Sequence, residues 1–296
     1  MTLKDNLLGL MIIFIWGFNF VVIAWGVQDM PPLLMGAARF LCVALLGSLF
    51  VAKPGIPWRW MALYAITLCF GQFALLFSAL AFGMPAGLAS IVLQSQALFT
   101  ILFSIVLLKE QLHRTQLIAL TIAFFGLWAI SSAGQSTDMT LIGFMLTIAG
   151  AMSWAIGNIV NRKITQLGYQ ANLGLVVWSA WIAVIPFALS SYYIEGPEVI
   201  LQTFESFNLS SALVLLYLAI GASILGYSMW GALLSRYPAG QVAPLTLGVP
   251  VVGIMCASFF LGETLNSGQI LGILLVMLSL FINAFGKRLF NKKQLA

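Results

Sequence analysis

Arg39 is the charge that stands apart in this sequence, because it alone falls well inside a long apolar run. It lies two turns past Pro32, roughly 10 Å along a helix that rises about 1.5 Å per residue. A cation at that depth in a low-dielectric layer is costly unless it is paired or hydrated. It reads either as a clamp for a solute carboxylate or as a structural guanidinium that bonds carbonyls or reaches for the surface. Amides sit at comparable depth at Asn19, Gln72, Gln94, Gln96 and Asn158. Each can hydrogen-bond a polar solute or join two helices. Gln94 and Gln96 are two apart, so a regular helix turns them about 200° from each other and lets only one face a cavity squarely. Trp16, Trp154, Trp178, Tyr227 and Trp230 offer ring faces to an ammonium group, or simple packing and interfacial anchoring. Pro244 and Pro250 either free carbonyls toward a cavity or only kink their helix.

What these runs lack is equally informative. Asp, Glu and His keep to their ends, and His113 falls in a charged turn. An HExxH pattern, a helix-borne acid pair and a Ser/His pair are all missing, which speaks against an intramembrane enzyme. A G-x-x-x-x-G-K-[ST] loop is missing too, so no nucleotide, metal or other cofactor is expected. Cys42, Cys69 and Cys256 lie in apolar runs without ligand spacing and read as packing residues. A solute that crosses here is expected to move as a neutral zwitterion, downhill or with weak proton coupling through groups at the ends.

The elements that position these residues follow from composition. The chain is 61% hydrophobic and 7% charged, against roughly 25% charged residues in a soluble domain. Its uncharged runs have membrane-spanning length, and Leu7–Val27 is too long for a cleaved signal core. Charge, Pro and Gly punctuation predicts an all-α integral membrane protein with ten transmembrane helices: 7–27, 32–52, 60–81, 86–108, 115–131, 141–161, 171–193, 209–234, 240–261 and 267–286. With the N-terminus inside, the inner segments carry every Lys and Arg but Arg39: Lys4, Lys53, Arg59, Lys109, Arg114, Arg162, Lys163, Arg236, Lys287, Arg288, Lys292 and Lys293. Asp29, Asp138, Glu195, Glu198, Glu205 and Glu263 fall outside. That bias follows the positive-inside rule and places both termini in the cytoplasm. The net charge of +5 is scattered over these turns and predicts contact with lipid headgroups, not nucleic acid.

The chain also repeats itself. Pro85-Ala86-Gly87 recurs as Pro238-Ala239-Gly240, and the same offset carries Glu110 onto Glu263, Leu112 onto Leu265 and Gln116 onto Gln269. Trp16 pairs with Trp154 at a shorter offset. The unit is five helices, residues 1–135 and 136–296. An odd number of crossings turns the second copy upside down, the inverted repeat typical of secondary transporters.

The segments Trp16-Gly17-Phe18-Asn19-Phe20, Arg39-Phe40, Gly83-Met84-Pro85-Ala86-Gly87, Leu93-Gln94-Ser95-Gln96-Ala97, Ser153-Trp154-Ala155-Ile156-Gly157-Asn158 and Ala243-Pro244-Leu245 resemble the EamA branch of the drug/metabolite transporter superfamily. The resemblance covers nearly the whole chain. It implies two EamA domains, ten helices, and efflux across a bacterial inner membrane of small amino-acid-like molecules, O-acetylserine and cysteine first. Other amino acids, aromatic metabolites and drugs stay open as cargo, and so does a membrane receptor or scaffold that binds without flux. The family has no universal catalytic motif to carry over. The candidate substrate-binding set is therefore Trp16, Asn19, Arg39, Gln72, Gln94, Gln96, Trp154, Asn158 and Tyr227.

Overall fold

The computed structural model describes residues 1–134, 139–170 and 172–290, and among these it is helical with no strand. Asp138, Lys292, Lys293 and the 135/136 repeat boundary lie outside the described residues. The helices are α1 (Leu3–Asp29), α2 (Pro32–Ser48), α3 (Trp58–Ala81), α4 (Ala86–Leu108), α5 (Arg114–Gly134), α6 (Leu141–Gln166), α7 (Leu173–Glu195), α8 (Pro197–Glu205), α9 (Leu209–Arg236), α10 (Ala243–Leu261) and α11 (Ser267–Phe290). Nine of them are long and apolar enough to cross a membrane, with mean hydropathy from 1.5 to 2.5. Their outward faces carry rings such as Phe124 and Phe259, exposed by 66% and 82%. Water would penalise that surface, whereas hydrocarbon would not.

Several expectations about boundaries change, and α6 runs on to Gln166, past its expected end at 161. The second helix, expected to reach residue 52, stops at Ser48 with 17 residues, because the chain turns toward Pro54-Gly55 and Pro57. The loop after Gly196 contains α8, with Pro197 in its first turn, where the missing N–H costs nothing.

Caps fix where the helices start and stop. Thr140 Oγ1 accepts from Gly143 N at 3.0 Å, Asn172 Oδ1 from Gly174 N at 3.0 Å, and Asn208 Oδ1 from Ser211 N at 3.0 Å. At their C-termini α4 and α10 end alike, on left-handed residues: Lys109 at φ 55° and Gly262 at φ 68°. The same long-range turn bond follows each, Glu110 N to Ser104 O at 3.3 Å and Glu263 N to Ala257 O at 3.4 Å.

The helices pack so that α2 lies on α7, α1 on α10, α4 on both α6 and α10, and α3 on α6 and α7. Helices α5 and α11 pair tightly beside this group. The bundle has two distinguishable ends. The proximal end carries Met1; there Asp5 holds Arg236 at 2.7 Å, and Glu110 holds Arg162 at 2.5 Å. At the distal end Thr140 N reaches Gly83 O at 3.1 Å, beside the start of α4.

The α5–α11 pairing depends on small residues. A methyl placed on Gly272 would stand 2.7 Å from the carbonyl oxygen of Gly126, and one on Gly126 would meet backbone at 2.9 Å. With no hydrophobic drive between helices in lipid, such close approach is what holds them. Gly272→Leu should therefore lower the melting temperature in detergent, at a cost of about 1–3 kcal/mol. Gly55→Ala, where a methyl meets nothing within 4 Å, should leave it unchanged.

Candidate functional site

A cavity of about 340 Å³ lies between α1, α2, α3, α4, α6, α7, α9 and α10, near the small end of the roughly 300–1,000 Å³ typical of small-molecule pockets. Among the described residues, α5 and α11 contribute nothing to it. All nine residues singled out from the sequence line its wall: Trp16, Asn19, Arg39, Gln72, Gln94, Gln96, Trp154, Asn158 and Tyr227. Trp178 does not; its indole N–H donates to Val51 O at 3.0 Å, near the proximal end.

Arg39 is 2% exposed and reaches the cavity from α2. Its guanidinium donates to Ser223 Oγ, from Nη2 at 3.0 Å and from Nε at 3.4 Å. It also lies over the Phe73 ring, 4.1 Å from the centroid, with Phe40 at 5.6 Å and Phe77 at 5.7 Å. These faces stabilise the charge but do not neutralise it. Nη1 is buried with no hydrogen-bond partner. Ser223 is itself fixed, its hydroxyl donating to Leu218 O at 2.8 Å.

The position of Ser223 follows from an irregularity in α9. Residues Tyr217–Leu225 form a wide π turn, and so do Ala65–Gly71 in α3. Such turns loosen the regular ladder and are frequent at functional sites. Here the carbonyls are taken by neighbouring helices. Trp16 Nε1 donates to Ala222 O at 3.0 Å, and Ser153 Oγ donates to Thr67 O at 2.7 Å. Trp16 also packs against Tyr227 and Trp230, each ring centroid 5.5 Å away.

The two glutamines depart from expectation, since both face the cavity. Residues Leu93–Ser95 form a tight 3-10 turn between the two stretches of α4, which breaks the 100° step that would have set them apart. Gln94 Nε2 donates to Thr246 O at 3.0 Å. That carbonyl is available because Pro250, one turn later, has no N–H to offer it. Gln96 Oε1 accepts from Asn158 Nδ2 at 2.6 Å, and Asn158 also reaches Thr100 Oγ1 at 3.2 Å. These three side chains thus tie helices together while lining the cavity. In contrast, Asn19 Oδ1, Gln72 Oε1 and Asn161 Oδ1 are buried acceptors without a partner.

Sequence reasoning missed Ser223, Tyr64, Asn161 and Asn172. The last two mark the mouth: with Leu234 they carry the lining toward the proximal end. It also read Glu195 only as a loop acid, and Glu263 as a loop acid that marks the repeat. In the fold they bind helix starts across the distal end. Glu195 accepts from Leu33 N at 2.6 Å and Leu34 N at 3.0 Å. Glu263 accepts from Ala86 N at 2.6 Å and Gly87 N at 2.9 Å. Burial pushes the Glu263 carboxyl above the usual range, and the two N–H groups partly offset it.

Spanning helices packed around a central cavity that has an apolar wall with several inward polar groups and opens at one end fit the architecture of a multi-pass membrane transporter. The chain belongs to the EamA-like transporter family, whose sequence model matches residues 3–132 and 141–285. It is 48% identical over 290 residues to a "Probable amino-acid metabolite efflux pump" of Salmonella typhimurium, covering 97% of each chain. A protein of the same description from Escherichia coli is 45% identical over 290 residues, again covering 97% of both. A solved structure described only as "Crystal structure of protein" shares the fold, with a TM-score of 0.64 at 19% identity over 100% of both chains.

The bond from Ser223 to a buried cation is of the strong class, about 1.5–3 kcal/mol. Ser223→Ala should lower the melting temperature of the purified protein accordingly. Ser228→Ala, whose hydroxyl serves only Ile224 O in its own helix, should cost far less.

Proposed function

We propose that this protein is an inner-membrane exporter of small zwitterionic amino-acid metabolites, with O-acetylserine and cysteine as leading cargo. The observation that carries the reading is the set of unspent polar atoms in one cavity: the Arg39 Nη1 donor together with the Asn19, Gln72 and Asn161 oxygens. A carboxylate satisfies the first and an ammonium group satisfies the others, so a zwitterion removes both desolvation penalties at once. The names carried by the relatives from Salmonella typhimurium and Escherichia coli point to the same solute class. Arg39 is the carboxylate clamp, and the Trp16–Tyr227–Trp230 cluster supplies apolar and ring contacts.

The chain crosses the membrane ten times, α2 included, as two inverted five-helix repeats at 1–135 and 136–296. Several features support this. The π turns in α3 and α9 recur at the offset of the sequence repeat, as do the left-handed ends of α4 and α10. Helix contacts exchange in the same way, α1 on α10 matching α6 on α4. The basic residues other than Arg39 sort to one side, which supports cytoplasmic termini. The cavity mouth at Asn161, Asn172 and Leu234 then faces inward, ready to load from the cytoplasm.

A second cargo class, aromatic metabolites or drugs, is favoured by the same ring cluster around Trp16. A receptor that binds without moving solute would fill the cavity but give no flux.

Counterflow in proteoliposomes with a panel of labelled amino acids separates these. O-acetylserine and cysteine should exchange saturably, and Arg39→Leu should reduce exchange to the level of empty vesicles while still inserting. Exchange of aromatic solutes alone would reassign the cargo; binding without exchange would favour the receptor. A pH gradient alone should drive little uphill uptake, because the cavity lining, among the described residues, offers one cation and no carboxylate. Strong accumulation under that gradient would sink the uncoupled mechanism.

A further inference from the structure

Helices α4 and α10 occupy equivalent places in the two repeats, and their contact is one-sided. The first stretch of α4 packs against α10 toward the distal end: a methyl on Gly87 would meet Ala257 and Ile254, and one on Gly253 would meet Ser90. Ser90 Oγ also reaches Pro250 O at 3.4 Å. Beyond the Gln94–Thr246 bond the two helices part company. The second stretch of α4, from Gln96, leans on α6, and the cavity opens in the gap. Both helices have a 3-10 turn near that crossing, Leu93–Ser95 and Ala243–Leu247. The pair forms a V, closed at the distal end and open at the proximal one.

Glu263 fastens the closed end through Ala86 N and Gly87 N, the start of α4. Its repeat partner is Glu110, and the two are launched by the same backbone. Each follows a left-handed residue, Lys109 or Gly262, and each donates its N–H back to a matching carbonyl, Ser104 or Ala257. Each is followed by the same cap, His113 N to Gln116 Oε1 at 3.0 Å and Asn266 N to Gln269 Oε1 at 3.0 Å. Only the partners differ. Glu110 holds the Arg162 guanidinium at 2.5 Å, on a side chain 49% exposed. The counterpart of Ala86-Gly87 is Ala239-Gly240, at the start of the continuous helical run that leads into α10.

We propose that Glu263 and Glu110 are alternating latches of the transport cycle. Glu263 closes the distal end in the conformation described, and Glu110 closes the proximal end in the opposite one. To do so it leaves Arg162 and takes the backbone N–H groups of Ala239 and Gly240, while Glu263 releases Ala86 and Gly87. The inference rests on the inverted-repeat reading and names which residues switch. Both glutamates are positioning residues: they set which end is open and do not touch solute. The latch is electrostatically sound, since a carboxylate across two N–H groups at a helix start is favoured by charge-assisted hydrogen bonds and by the helix dipole.

Accessibility of single cysteines to a membrane-impermeant thiol reagent tests this, in a background with Cys42, Cys69 and Cys256 replaced. Ser90→Cys, labelled from the periplasmic side, reports opening between α4 and α10 at the distal end, and Leu234→Cys, labelled from the cytoplasmic side, reports the proximal mouth. Glu263→Gln should raise Ser90→Cys labelling about tenfold and lower that of Leu234→Cys, within the range of ordinary conformational coupling. The two ends of the Glu110–Arg162 bridge should act with opposite signs. Arg162→Gln frees Glu110 and should shift the protein toward distal opening, whereas Glu110→Gln removes the second latch and should shift it toward proximal opening. If both shift it the same way, the bridge is merely a static contact and the proposal is wrong. Should Glu263→Gln not accumulate, Ala86→Pro deletes one of the two N–H donors and must give the same distal opening. The readout needs no substrate, so a failed counterflow assay would overturn the cargo and leave the latches standing. Leu234→Cys reacting from the periplasm in the otherwise unaltered protein would overturn the inverted-repeat orientation itself.

Discussion

A guanidinium held inside an apolar layer is the constraint that the rest of the structure accommodates. Arg39 is buried in the bundle, and among the described residues no carboxylate contacts it. The fold answers with three phenylalanine rings and one serine hydroxyl, which stabilise the charge while leaving Nη1 unspent. A buried ion pair would have been the cheaper arrangement for a purely structural arginine. Leaving the pairing incomplete keeps the cost on the empty protein, where, on the proposed reading, a solute carboxylate would relieve it.

The helices meet this demand by departing from regularity at chosen places. A plain α-helix spends every carbonyl on its own ladder and offers a neighbour only side chains. The π turns of α3 and α9 and Pro250 in α10 release or displace carbonyls, and these groups are bound from another helix: Thr67 by Ser153, Ala222 by Trp16, Thr246 by Gln94. Polar bonds of this kind lock helices together in a solvent that gives apolar contact no advantage. They also surround the cavity, so the elements that hold the bundle are those that shape the solute path.

The two ends of the bundle are held by different chemistry. At the distal end Glu195 and Glu263 sit on helix starts, each bridging two backbone donors from the other half of the chain. At the proximal end the acids pair with arginine side chains instead, and the arginine partners are substantially exposed. Exposed ion pairs contribute little and are readily exchanged, whereas partly buried carboxylate-to-backbone bonds are stronger and more directional. The Glu110–Arg162 pair is thus the more easily exchanged, in keeping with the position of the cavity mouth.

Much of this was legible in the chain. Hydropathy fixes the membrane-spanning helices because hydrocarbon tolerates few charges, and the lone exception, Arg39, pointed at the cavity by its cost. The amides and tryptophans that line the wall were identifiable for the same reason: a polar group in a spanning helix needs a partner. Periodicity could not place Gln94 and Gln96 together, because a 3-10 turn has no sequence signature as strong as a proline. Nor could it find Ser223, a small residue made important by a π turn and by a neighbour far away in the chain. Glu195 and Glu263 looked like ordinary loop acids until the fold brought helix starts beneath them. Composition, in short-range terms, determined which segments enter the membrane and which residues are costly there. Which of those residues meet, and which polar atoms remain unspent, was decided only by packing between segments remote in sequence, since hydrogen bonding depends on ångström-scale geometry that residue order alone does not carry.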